Sequence, residues 1–263
     1  MKPIPVLTWH KVSPRWEPGI TVVSPERFEI QVEALRAAGA QTLTLEEYIL
    51  RDGRQAEDET LCLLCFDDAY ECVDEWALPV LERAGFTAAL FPVLGWLGDW
   101  NRWDRGLLGR RFRHLDEAGI RRLLAAGWSL GLHGYSHRSL VACPLEILEC
   151  ELVDARSELE LRFERNVHAI AWPFGRCDRR AVRVAEAAGL RAGFGHAEVG
   201  SLGAFHPMCR PRLAVYPLHG EAALRRMLGG ADADLLQRLA RRGAGLSARI
   251  GGRLPSSRTA RLV

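Results

Sequence analysis

Three short stretches of the sequence concentrate side chains suited to metal-assisted hydrolysis. Leu63-Leu64-Cys65-Phe66-Asp67-Asp68-Ala69-Tyr70 ends an apolar run in two adjacent carboxylates. Leu130-Gly131-Leu132-His133-Gly134-Tyr135-Ser136-His137 ends another in a histidine pair, and Ala169-Ile170-Ala171-Trp172-Pro173-Phe174-Gly175 ends a third in a tight polar turn. Adjacent aspartates repel, so a strand end that carries two of them needs a compensating cation. His133 and His137 can supply two neutral nitrogens, and one aspartate can supply an oxygen. Two His and one carboxylate suit Zn²⁺, and also Co²⁺, Ni²⁺ or Mn²⁺, with a position left for water. The second aspartate is then available as a base. An Asp-Asp pair alone commonly caps a turn, and H-x-x-x-H alone commonly lies on a surface. Their occurrence together at successive strand ends carries the inference.

The elements that must position these residues alternate along the chain. Apolar strand-like runs fall at 4–9, 41–45, 60–66, 86–93, 128–132, 167–172, 191–195 and 212–216. Amphipathic helical stretches fall at about 25–38, 72–84, 116–126, 144–164, 179–188 and 221–240, several of them closed by glycine. Pro79 predicts a kink in the second helix. Repeated β–α order predicts an α/β protein, a parallel sheet or a (β/α) barrel, in which ligands gather at the C-terminal ends of the strands. The expected layout is a single domain over 1–240 with a basic, flexible tail at 241–263.

The motifs together resemble those of the NodB-type polysaccharide deacetylases, carbohydrate esterase family 4. Phe66-Asp67-Asp68-Ala69-Tyr70 is similar to the family's T-F-D-D-G-Y, His133-Gly-Tyr-Ser-His137 to its H-[ST]-x-x-H, and Trp172-Pro173-Phe174-Gly175 to its R-x-P-Y-G. The resemblance spans roughly 60–195. It implies a distorted (β/α) barrel and metal-dependent removal of an N-acetyl group from an amino sugar. By position, it implies Asp67 as the catalytic base and Asp68, His133 and His137 as metal ligands. It also implies a backbone N–H near Phe174 at the oxyanion, with Trp172 lining the substrate.

Three departures qualify the match. Cys65 and Ala69 replace the usual Thr and Gly, and both read as packing changes. Ala171 stands where the family has an arginine that positions the base. The usual C-terminal L-x-H, source of the general acid, is not evident, because Leu218-His219 follows Pro217 rather than an apolar strand. The last two gaps are shared by the circularly permuted subgroup that includes poly-N-acetylglucosamine deacetylases. There the acid histidine comes first, in a strand reading roughly L-T-Y-H, and this chain has Leu7-Thr8-Trp9-His10. His10 is therefore the expected general acid. Arg212 is the candidate to replace the missing arginine, with Arg176 and Asp178 as alternatives.

Composition limits the remaining classes. The chain has 263 residues, 48% hydrophobic and 26% charged, with a net charge of +2. That excludes disorder and collagen-like sequence and argues against a dedicated nucleic-acid binder. Lys2 and Lys11 are the only lysines among 35 basic residues. The seven cysteines, an odd number, are scattered and do not read as a disulfide framework. Cys62-x-x-Cys65 lies within an apolar strand and reads as core. The first residues are too short an apolar run for a signal peptide, and no stretch reaches the roughly 18 apolar residues of a membrane span. A cytoplasmic location is expected, with a lipid-linked or nucleotide-linked precursor as substrate. Trp96, Trp100 and Trp103, followed by Arg105, Arg110, Arg111 and Arg113, suit a sugar or a lipid headgroup region. The arginine-rich end after Asp234 points to an anionic membrane surface or lipid carrier, at the inner face. The competing functions are an amidohydrolase for a non-carbohydrate amide and a non-catalytic sugar-binding protein with a degenerate site.

Overall fold

The computed structural model describes residues 1–15, 17, 20–101, 111–195 and 206–230. The Trp103 segment, the arginines at 105 and 110, and the basic tail lie outside the described residues. Within these residues the α/β class with parallel strands is what the structure shows. Among the described residues the chain clusters into two compact units, one built from 1–90, 98–129 and the stretch from 213, the other from 91–97 and 130–212.

The first unit is built on Leu61–Asp68, whose eight residues are all buried, as a parallel strand covered on both faces requires. Val6–Trp9 pairs parallel to it in the register Val6↔Leu63 to Trp9↔Phe66. Leu213–Ala214 pairs parallel to Val6–Trp9, and Gln41–Thr42 parallel to the start of Leu61–Asp68. Cys62 and Cys65 are both fully buried, and burial pushes the Cys62 thiol up to about 12. The pair is core rather than a redox motif.

Local chemistry starts and stops the covering helices. Ser24 caps Pro25–Ala37 by accepting the Arg27 N–H, with Pro25 in the first turn, where a missing N–H costs nothing. Thr44 and Glu47 form a capping box at Leu45–Leu50. The buried amide of Gln31 accepts from Trp9 Nε1 at 3.0 Å and donates to the carbonyls of Tyr216 and His219 at 2.9 and 3.1 Å. This bond set fixes the end of the Val6–Trp9 strand.

Two expected helices differ in the same way. Residues 72–84 form a π-helical turn, Val73–Ala77, before an α-helix, Leu78–Ala84. Pro79 has no N–H to donate, and the wider register before it accommodates the loss without a break. In the second unit, 144–164 divides into Leu145–Leu148, a π-helical Glu149–Asp154 and Ala155–Phe163. The sheet of that unit is parallel, with Ala169–Ala171 beside Ala192–Gly195 and Ala192–Gly195 beside Arg210–Pro211. Leu132 bridges to Ile170 in parallel.

The expected helix at 221–240 runs as Glu221–Leu228 within the described residues. The spacing of Trp96 and Trp100 does not make one helical face. Leu94–Trp96 is a 3₁₀ turn, Gly98 adopts φ +67°, and Trp100 bridges Arg113 in antiparallel fashion. No helix of the described residues is long and apolar enough to cross a membrane.

Candidate active site

The parallel register of the first unit brings two residues together from 57 positions apart in sequence. Trp9 lies opposite Phe66, so His10 follows beside Asp67. His10 Nε2 and Asp67 Oδ2 are 3.9 Å apart, with Asp67 only 2% exposed and His10 31%. That is an ion-pair distance rather than a hydrogen bond, and a small movement of His10 would close it.

The turn after Asp67 leaves ordinary backbone space. Asp68 has φ 66° and Ala69 φ 54°, a left-handed conformation that costs a non-glycine residue about 1–2 kcal/mol. The buried ring of His114 holds this turn. Its Nδ1–H donates to the Asp68 carbonyl at 2.7 Å, and the Leu115 N–H donates to the Ala69 carbonyl at 2.7 Å. Burial lowers the His114 pKa, which keeps the ring neutral. His114 stacks on Tyr70 at 4.8 Å, and the Tyr70 hydroxyl accepts from Asn101 Nδ2 at 2.7 Å. Behind Tyr70, the buried Lys11 ammonium pairs with Glu17 at 2.6 Å and lies 4.9 and 4.7 Å from the Tyr70 and Phe112 ring centroids. His114 and the Lys11–Glu17 pair are invisible to motif reading: the Asp68 carbonyl that His114 holds and the Tyr70 and Phe112 rings beside Lys11 are distant in sequence, and Lys11 and Glu17, six residues apart, belong to no spacing pattern.

Ala69 is therefore a matter of backbone conformation, not of packing as its sequence context suggests. Glycine adopts the same φ without strain but loses more entropy on folding. The balance predicts that Ala69→Gly stabilises the protein by about 0.5–1 kcal/mol, a rise of a few degrees in Tm. A thermal melt that is unchanged or lower would show that the turn is not strained at Ala69.

The second unit presents the histidine pair. His133 Nδ1 lies 2.6 Å from the Ala171 carbonyl, which can only accept, so Nδ1 carries the proton and the Nε2 lone pair is left for a ligand. The His133 and His137 ring centroids are 4.9 Å apart, and that of Phe174 is 4.8 Å from His137. His137 and Phe174 also have positive φ, 60° and 58°. Four of the seven positive-φ non-glycine residues among those described thus belong to the three motifs, the concentration expected of a functional site.

Trp172 is fully buried and its indole N–H donates to the Met208 carbonyl at 2.7 Å. Arg212 is buried, and its backbone N–H donates to the Gly195 carbonyl. Of its alternatives, Asp178 is committed as a helix cap. One oxygen accepts the Arg180 and Ala181 N–H groups, and the other accepts that of Ala142. His219, the other candidate acid, is buried in the first unit, where its Nδ1 accepts the Tyr216 N–H at 3.1 Å. Glu151, which no motif flagged, is fully buried and bonded to the loop of the histidine pair.

In the first unit Asp68 offers a buried carboxylate oxygen, and in the second His133 and His137 each offer an imidazole nitrogen. One carboxylate oxygen and two imidazole nitrogens, one of them with its other ring nitrogen fixed by a carbonyl, fit a divalent ion of the zinc class.

The fold and sequence relate the chain to known proteins. Streptococcus pyogenes deacetylase PplD, solved in complex with acetate, superposes with a TM-score of 0.73 at 19% identity, over 86% of this chain and 98% of that one. IcaB from Ammonifex degensii gives 0.70 at 21% identity, over 86% and 97%. In sequence, the poly-β-1,6-N-acetyl-D-glucosamine N-deacetylase of Staphylococcus aureus (strain MRSA252) is 24% identical over 182 residues, 65% of this chain and 60% of the relative. YxkH of Bacillus subtilis (strain 168) is 26% identical over 192 residues, 72% of this chain and 63% of the relative. The chain therefore spans somewhat less than two thirds of the curated relatives it matches. The sequence profile of the polysaccharide deacetylases matches residues 54–193, more than half of the chain and all three motifs, and the protein belongs to that family.

Proposed function

We propose that this protein is a metal-dependent hydrolase that removes the N-acetyl group from an amino sugar. The reading is carried by the chemistry of the side chains, two adjacent buried carboxylates, Asp67 and Asp68, in one unit and the His133–His137 imidazole pair in the other. In this reading Asp68, His133 and His137 hold a divalent ion, most simply Zn²⁺. When bound, such an ion polarises the acetyl carbonyl and lowers the pKa of water.

The remaining steps fall to the chain's own residues. Asp67 accepts the proton of the attacking water. His10, on the neighbouring strand end, delivers a proton to the leaving nitrogen as the C–N bond breaks, giving acetate and a free amine. The Phe174 N–H donates to the developing oxyanion. Arg212 orients Asp67 in place of the arginine that Ala171 lacks. Trp172, anchored on Met208, sets the shape of the Phe174 turn against which the sugar lies.

The substrate class follows from the family and from the named activity of the Staphylococcus aureus relative. The proposed substrate is an N-acetylated amino sugar in a polymer or its lipid-linked precursor. The test is acetate release from N-acetylglucosamine oligomers, lipid-linked N-acetyl sugars and simple acetamides, before and after chelation and with metal restored. Acetate from a sugar substrate that vanishes on chelation and returns with metal is the expected result. Turnover of acetamides alone would move the protein to the small-amide hydrolases. Saturable sugar binding with no acetate from any substrate would make it a binding protein.

A further inference from the structure

The histidine pair poses a geometric problem. Residues four apart on a helix share a face, but 133–137 is not helical. Gly134 and His137 have φ +78° and 60°, so local backbone preference does not hold the two imidazoles together. Something outside the loop must do so.

Glu151 is fully buried in the π-helical segment Glu149–Asp154. Its Oε2 accepts the backbone N–H of Tyr135 at 2.7 Å and that of Ser136 at 3.0 Å. Its Oε1 accepts the Ser136 hydroxyl. Two successive N–H groups closing on one anion form a backbone nest. A Cβ on Gly134 would lie 2.8 Å from Glu151 Oε2, so a glycine is required for the loop to close this far on the carboxylate. Removing a carboxylate from water is costly, and burial raises the pKa of Glu151. The loop's donors offset that cost. A π-helical register inside a helix is itself frequent at functional sites.

We infer that Glu151 is a positioning residue of the metal centre: its buried carboxylate gathers Tyr135 and Ser136 and thereby fixes the mutual placement of His133 and His137. The inference rests on the reading of those histidines as metal ligands. In this role Glu151 acts through the backbone between the two histidines.

The test uses the full chain, stripped of metal and titrated with Co²⁺. Affinity is read by calorimetry and ligand geometry by the visible d–d absorption, with folding checked by circular dichroism and thermal melting. Glu151→Gln keeps the shape and one acceptor but turns an N–H₂ group towards the loop's donors. It should weaken Co²⁺ binding about 10–100-fold, the range seen when groups that orient ligands are lost, and alter the absorption band. Ser136→Ala removes one of the three bonds with little risk to folding and should weaken binding at least about threefold. A folded Glu151→Gln protein with wild-type affinity and spectrum overturns the inference while leaving the metal reading intact. Should Glu151→Gln fail to fold, Ser136→Ala decides, and unchanged affinity overturns the inference. A wild-type chain that binds no Co²⁺ removes the metal reading itself, and this inference with it.

Discussion

Asp68→Asn should abolish metal binding and acetate release while leaving the fold unchanged. Asparagine tolerates the left-handed φ of 66° that Asp68 adopts, and it keeps the backbone carbonyl that His114 holds. What it loses is the anionic oxygen of the donor set. With two imidazoles left, metal affinity should fall by more than the roughly 100-fold typical of losing an orienting group alone. Asp68→Ala would be the poorer variant, because it adds backbone strain to the loss of the ligand. Metal content by mass spectrometry after dialysis is the direct measurement. A stoichiometric metal in folded Asp68→Asn protein would remove Asp68 from the ligand set.

The second large effect separates acid from base. Asp67→Asn and His10→Ala should each lower kcat by about 10²–10⁴ while metal content stays at the wild-type level. The pair sits at 3.9 Å because of strand register, so neither change disturbs the ligands. The pH profile of kcat/KM distinguishes the roles. Loss of the base removes the acidic limb, and loss of the acid removes the basic limb. The double variant should cost far less than the product of the two single losses, since residues that act in one proton-transfer sequence are not additive. Loss of metal from His10→Ala would reassign His10 as a ligand, and a small effect on kcat would leave the acid to be found elsewhere.

How much of this was legible beforehand depends on the range over which the chain specifies it. The buried strand Leu61–Asp68, the cap at Ser24 and the stop at Gly85 follow from patterns within a few residues, whereas the cap at Thr44 falls inside 41–45, which reads as a strand and is one only over Gln41–Thr42. The family follows from three motifs in order, and the match at 54–193 covers them. The two π-helical segments were not legible, because a one-residue widening of a helix leaves its hydrophobic spacing almost unchanged. Nor was Glu151, which in sequence is one acidic residue among several on an amphipathic helix and in the structure is the one buried among those of its segment.

The sequence by itself determined the side chains that could bind a divalent ion, the strand ends on which they stand, and the α/β class that gathers strand ends. Tertiary structure decided the rest. It set His10 beside Asp67 through parallel register, and it gave His114 and Glu151 work that no spacing announces. It also showed that Ala69 occupies glycine's backbone region rather than merely glycine's space. The physical reason is common to all of these. Periodicity and caps act between neighbours along the chain. Register, burial of a carboxylate and a left-handed turn are paid for by partners beyond the reach of any local pattern, and only folding makes them neighbours.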